Sequence, residues 1–293
     1  MNNTKVTSQL LSNTYVKFLT TIGIGLIIWF IPPPTEISTT AWHMLAIFIA
    51  TIAGCILKPF PIGSIAIISL TLSVLTNTIE LNTALSGFSE SSIWLIVMAF
   101  FISRGFIKTG LGSRIAYQFV KLFGKKTIGL CYSIIFCDLI LAPATPSNTA
   151  RAGGIIAPII ESLSKTFNSS PKDGTERRIG SFLMFSEFHG NIITSAMFMT
   201  AMAANPLAKS LAAGFGIDIT WSSWFLAAIV PGIISLIFIP LTIYKLYPPE
   251  IKATPDAPKI ARDALKNMGK MKKDEILMAL IFIIVLVLWV LGG

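Results

Sequence analysis

Residues 142–151 read Ala-Pro-Ala-Thr-Pro-Ser-Asn-Thr-Ala-Arg, two prolines and a run of hydroxyl and amide side chains set between two apolar arms, 127–141 and 150–163. Irregular backbone exposed to hydrocarbon leaves polar groups unbonded at several kcal/mol each, so such a tip persists at membrane depth only inside protein or beside a watery cavity. A solute-binding site meets that requirement. At ~1.5 Å per residue each arm is about 21 to 23 Å long, short of a hydrocarbon core of roughly 30 Å. The loops flanking the arms, 114–126 and 165–178, are both basic, which puts both on the cytoplasmic side. The segment therefore reads as a re-entrant hairpin rather than as two full spans.

The rest of the chain supplies the membrane setting. Hydrophobic residues make up 53% and charged residues 13% of its 293 residues, and the mean hydropathy is +0.74. That composition belongs to an all-α polytopic membrane protein and excludes an ordinary soluble domain. Apolar stretches at 18–31, 41–57, 62–75, 93–107, 182–204, 224–244 and 276–291 are span candidates. With the N-terminus in the cytoplasm and sides alternating at each span, every Lys and Arg but Lys209 falls inside, so the formal charge of +9 reports topology first. A nucleic-acid reading of the basic stretch 245–273 fails, because Glu250, Asp256 and Asp263 dilute it and no aromatics interleave. Cys55, Cys131 and Cys137 lack paired or metal-ligand spacing and read as small core residues. The polar start, Met1 to Lys17, precedes a retained span rather than a cleaved leader.

Residues 110–121 read as an amphipathic interfacial helix leading into the hairpin. Residues 258–271 read as a surface helix whose Ile260, Leu265 and Met268 face the bilayer while its lysines face headgroups. The division expected is an N-terminal segment and first span (1–40), a repeat (41–247) holding the hairpin (127–164), a cytoplasmic linker (248–275) and the start of a second repeat (276–293). The chain stops at Gly292-Gly293 directly after an apolar stretch. With the hairpin unpaired, the expectation is a molecule without its second half.

At the hairpin tip, Ser147 or Asn148 can N-cap the second arm, whose first N–H groups are otherwise orphaned and whose macrodipole favours an anion. Carboxylate oxygens fit the Asn148 amide, the Ser147 and Thr149 hydroxyls and the helix-start amides; the alternative is a turn whose polar groups satisfy one another. Arg151, one turn in, either pairs with Asp138 on the facing arm or presents a fixed positive charge to a dianion. The stretch 182–204 and its continuation carry Glu187, His189, Asn191, Thr194, Ser195, Thr200 and Asn205. Such a helix is expected to break between 193 and 204, with freed carbonyls lining the site opposite the tip. Glu187 and His189 are expected to be structural, near the cytoplasmic end where a charge reaches the interface. No glycine-rich phosphate loop, His-Glu-x-x-His or Gly-x-Ser-x-Gly motif is present, and His43 and His189 alone make no metal cluster; an enzyme is not indicated.

Three stretches carry a family resemblance: 143–154, Pro-Ala-Thr-Pro-Ser-Asn-Thr-Ala-Arg-Ala-Gly-Gly, followed by Pro158-Ile159-Ile160; 196–206, Ala-Met-Phe-Met-Thr-Ala-Met-Ala-Ala-Asn-Pro; and 247–258, Tyr-Pro-Pro-Glu-Ile-Lys-Ala-Thr-Pro-Asp-Ala-Pro, with Met268-Gly269 beyond. In this order they resemble the divalent anion/sodium symporter family, in particular its plastidic 2-oxoglutarate/malate translocators and bacterial citrate/succinate antiporters. The resemblance implies an elevator-type carrier of two inverted repeats, each giving a hairpin and a broken helix to one midplane site. It implies substrate contacts at Ser147, Asn148, Thr149 and Arg151, and from the broken helix at Thr194, Ser195, Thr200 and Asn205. Sodium-coupled relatives carry a serine where this chain has Pro143, which argues against sodium; no other cofactor and no metal is expected. The partners implied are dicarboxylate anions, the lipid bilayer, the C-terminal repeat and, left open, a second copy of the chain, with no nucleic acid. The function so expected is dicarboxylate exchange in a bacterial inner membrane. The alternatives are an inactive remnant or accessory subunit of a split gene, and a sodium-coupled symporter.

Overall fold

The computed structural model describes residues 14–291 and divides the chain into one unit up to Glu90 and another from Ser91. The polar residues at the extreme N-terminus and the closing Gly292-Gly293 lie outside the described residues. Among the described residues the regular structure is helical, and five helices are long and apolar enough to cross a membrane by length and composition.

In the first unit, α1 (Thr14–Phe30) stops at the Pro32-Pro33-Pro34 run, which cannot continue its hydrogen-bond ladder. Ser38 N-caps α2 (Thr39–Leu57) by accepting from Ala41 N at 3.2 Å. Trp42 ties α2 back to α1 through Nε1 to the Ile28 carbonyl (2.9 Å). A short loop through Pro59 and Pro61 leads to α3 (Ile62–Leu75), joined to α2 by the Thr51 and Ser69 hydroxyls at 2.5 Å, and α4 (Leu81–Leu85) closes the unit.

The second unit is built around the first hairpin arm. It begins with α5 (Ser91–Thr109) and α6 (Leu111–Phe123), followed by α7 (Thr127–Leu141), which has the bounds expected of the first arm. Past the tip, α8 (Asn148–Arg151) passes through a π-turn (Ala152–Ile156) into α9 (Ala157–Thr166). The first arm and its extension to Ala144 are 67% buried, against 22% for α12 (Trp221–Leu246) and 11% for α14 (Lys273–Leu291). The arm therefore lies inside protein, while the later spans keep apolar faces outward. Leu130, Ile134, Leu141, Ile156, Ile160 and Phe182 form the core around it, each worth roughly 1.5–3 kcal/mol of burial.

The base of the first arm and the turn that leads into the helix Gly180–Met197 are held by one short stretch of the linker. Thr254 N donates to Lys125 O (2.9 Å), Thr127 N to Lys252 O (3.1 Å), and the Thr254 and Thr127 hydroxyls to Gly124 O (2.7 Å) and Ile251 O (2.5 Å). In that turn, Arg177 and Arg178 accept through their carbonyls from Glu250 N and Ile251 N. The start of the first arm and the turn that follows the hairpin thus share a single anchor five residues long, at most about 18 Å of extended chain.

The linker helix departs from expectation. α13 (Ala257–Met268) buries Ala257, Pro258 and Ala261 and packs on α6, with Ile260 against the core, so its apolar stripe meets protein rather than bilayer. Arg114 lies on α6, within the stretch expected to form an amphipathic helix. Its Nε and Nη2 donate to Glu275 at 2.7 and 3.2 Å and its Nη1 to Gly269 O at 3.0 Å. Gly110 (φ 79°) and Gly269 (φ 69°) take left-handed backbone where α5 turns into α6 and α13 into α14, a region open to glycine at little cost.

Candidate functional site

The tip sorts its residues by depth. Residues 142–146 are buried, whereas Ser147 and Asn148 are half-buried and Thr149 is exposed. Ser147 is the N-cap: its Oγ accepts from Ala150 N at 3.1 Å. Asn148 Oδ1 accepts from Thr149 N at 2.8 Å. The helix start is thus capped by its own side chains, which present the Asn148 amide and two hydroxyls outward.

Directly beneath, Arg151 is fully buried and all its donors are taken. Nε meets Asp138 Oδ1 at 2.7 Å, Nη1 the carbonyls of Thr145 (2.9 Å) and Ala201 (3.3 Å), and Nη2 the hydroxyls of Ser195 (2.8 Å) and Thr194 (3.3 Å). A guanidinium offers five N–H donors in a rigid fork, and here five bonds reach both arms and the broken helix. Of the two roles open to it in the sequence, the structure places Arg151 in the pair with Asp138. The π-turn that follows adds a residue to this stretch of the arm, a distortion frequent at functional sites. Asp138 also accepts from Asn191 Nδ2 (3.1 Å) and from the Thr194 hydroxyl.

The expected break is present: α10 (Gly180–Met197) ends, residues 198–203 are irregular, and α11 (Ala204–Ala213) resumes. Several of the carbonyls freed there are bonded to protein. Asn205 Nδ2 donates to Ser195 O (2.8 Å) and Phe198 O (3.0 Å), Trp224 Nε1 to Ala196 O (2.9 Å), and Arg151 takes Ala201 O. Thr200 joins the break to the tip, its hydroxyl donating to Pro143 O at 2.6 Å while accepting from Trp221 Nε1 at 3.2 Å. Thr194, Ser195, Thr200 and Asn205 are therefore engaged with protein, and Ser147, Asn148 and Thr149 supply the outward polar face.

Two neighbours differ from their reading in sequence. Glu187, expected to reach the interface, is 2% exposed and neither carboxyl oxygen has a hydrogen-bond partner among the described residues. The close approach of α10 to α7 encloses it: a Cβ on Gly190 would stand 3.0 Å from Ile135 Cγ1. His189 Nδ1 lies 2.8 Å from the Phe185 carbonyl one turn back. Three or more His, Cys, Asp or Glu side chains able to hold a metal together do not occur among the described residues.

With this geometry in view, comparison with known proteins is informative. Residues 12–293 match the family described as the sodium:sulfate symporter transmembrane region. YflS of Bacillus subtilis, a candidate malate transporter by name, is 63% identical over 279 residues, covering 95% of this chain and 58% of its own length. The chloroplastic dicarboxylate transporter 1 of Spinacia oleracea is 51% identical over 276 residues, 94% of this chain and 48% of its own. The inner membrane protein YbhI of Escherichia coli is 42% identical, with 94% and 58% covered. The chain spans about half the length of these curated relatives.

Proposed function

From its membership of the sodium:sulfate symporter transmembrane family, to which the chain belongs, we propose that it forms the first of two inverted repeats of a dicarboxylate carrier. It is a multi-pass membrane protein; in our reading it sits in a bacterial inner membrane with the N-terminus cytoplasmic. The observation that carries the proposal is the hairpin tip, where Ser147, Asn148 and Thr149 stand outward over a guanidinium locked between two arms and a broken helix. The relatives named for malate and dicarboxylate transport support the substrate class. The linker that holds both the start of the first arm and the turn into α10 supports a hairpin that enters and leaves on one side.

In this reading a substrate carboxylate replaces the internal caps of the tip, accepting from the Asn148 amide, the Ser147 and Thr149 hydroxyls and the released helix-start N–H groups. Arg151 acts from behind, positioning the tip rather than touching substrate, while Thr194, Ser195, Thr200 and Asn205 hold the broken helix against it. The second carboxylate is met by the second repeat, carried on sequence that the longer relatives have beyond the matched region. Transport proceeds by exchange: Pro143 offers no side-chain oxygen to a sodium ion, and a carrier returning with counter-substrate needs no coupling cation.

The test is reconstitution of the full-length protein into vesicles. Labelled malate uptake is expected to require internal dicarboxylate and to be unchanged when potassium replaces sodium. Uptake into empty vesicles that follows a sodium gradient would replace exchange with symport, and absence of any dicarboxylate flux would remove the substrate assignment.

A further inference from the structure

Glu187 has no part in the site just described, yet it is the costliest side chain in this bundle to leave as it stands. It lies on one stripe of α10 with Asn191 and Thr194, both bonded to Asp138, so a polar ladder runs from Glu187 towards Arg151 and the tip. The titratable and charged groups that face it are Cys131, Cys137 and Asp138 on α7 and Arg151 on α8. Among the described residues, α9, α12 and the turns before α10 bring none within its reach. Arg151 is already committed to Asp138 and to four further acceptors. Both Glu187 oxygens are already closed off by the described residues of this chain, with α7 pressed against α10 at Gly190.

An ionised carboxylate with no donor on either oxygen and no cation of its own is not held in such a place, whereas the acid form is. Ionisable side chains buried at membrane depth serve as proton relays in pumps and transporters. We propose that Glu187 is a proton-binding site, occupied in this conformation, whose proton is linked to occupancy of the tip by a dianion. The link is electrostatic and rests on the dicarboxylate reading above. Asp138 and Arg151 cancel, so a protonated Glu187 leaves the ladder neutral when the dianion arrives, and an ionised Glu187 adds a third negative charge. Dianion binding therefore favours the protonated form of Glu187 over the ionised one. By reciprocity, falling pH tightens dianion binding.

The experiment uses the full-length protein in proteoliposomes, with malate exchange measured between about pH 6 and pH 8, where ordinary carboxylates near ~4 are ionised. For the wild type KM is expected to rise with pH, by at most about tenfold per unit for one linked proton. Glu187→Gln, the neutral isostere, is expected to flatten that profile at its acid-side value. The infrared spectrum of wild type minus that of Glu187→Gln, both taken without malate, is expected to show a carboxylic-acid C=O band that shifts in Glu187→Asp. That band is read in protein that need not transport. Parallel KM profiles for wild type and Glu187→Gln, or the absence of such a band, would overturn the proposal. Loss of malate exchange by the wild type itself would strike the dicarboxylate reading instead, and the spectrum then decides Glu187 by itself.

Discussion

Replacing Asp138 by Leu strands the Arg151 guanidinium in a site with no exposure, and breaking a buried pair in this way costs about 3–5 kcal/mol. Arg151→Met strands Asp138, which keeps Asn191 and Thr194 as donors, and also frees the Thr145 and Ala201 carbonyls, so a loss of similar size is expected. The double variant removes both charges at once. What remains unbonded is then neutral, at about 1 kcal/mol per group, so the pair should couple by about 3 kcal/mol. For a chain of this size 1 kcal/mol corresponds to roughly 2–4 °C in melting temperature. Each single variant should therefore lose about 10 °C in the temperature at which detergent-solubilised protein stops being monodisperse, and the double variant well short of the sum of the two. Additive losses would show that the two side chains do not act as a pair. If Arg151→Met melted like wild type while losing dianion uptake, the residue would be a free cation for substrate, and the positioning role would be wrong.

Other expectations are simpler to check. Asn148→Ala in the full-length protein should reach the membrane normally and lose exchange by roughly 10- to 100-fold, the worth of one hydrogen bond to a charged group; unchanged kinetics would return Asn148 to a capping role. In a cysteine-free background, cysteine at the exposed positions Asn82 or Gly216 should react with an impermeant thiol reagent from outside, and cysteine at Lys126, Lys172 or Lys259 should not. Outside labelling at Lys172 would refute the re-entrant hairpin. Thr254→Val removes the hydroxyl bond to the Gly124 carbonyl and should speed proteolysis within residues 248–256, with no change expected if the linker is held by its backbone bonds alone.

Much of this was legible in local sequence, because the physics that sets helix limits in a membrane is local. The prolines and hydroxyls of 142–151 gave the tip, and α7 has the bounds read from hydropathy alone. The density of polar residues after Glu187 gave the break. What stayed hidden depends on partners far away in the chain. Arg114 reads as one more cation of an interfacial helix until Glu275, 161 residues on, is placed against it. The two roles open to Arg151 differ only in whether Thr194, Ser195 and the Ala201 carbonyl come within reach. Likewise, the apolar stripe of α13 is equally suited to bilayer and to protein, and only the facing surface of α6 decides. For Glu187, a position near the helix end does not give access to water, because Gly190 lets α7 close over it.

The left-handed glycines at 110 and 269 work in a way that neither shows singly. They sit at one corner: the side of Gly110 faces Met268, and Arg114 holds the carbonyl of Gly269. On one side of this corner lies a leaf made of α6 and α13, fastened by the linker to the base of the hairpin. On the other lies a leaf made of α5 and α14, joined through Phe106 edge-on to Phe282 at 5.3 Å. The two glycines thus form one corner between the leaves, each holding a backbone angle that a Cβ would strain. Alanine at either should therefore destabilise the seam where the two leaves meet, and alanine at both should do so while leaving the tip itself untouched.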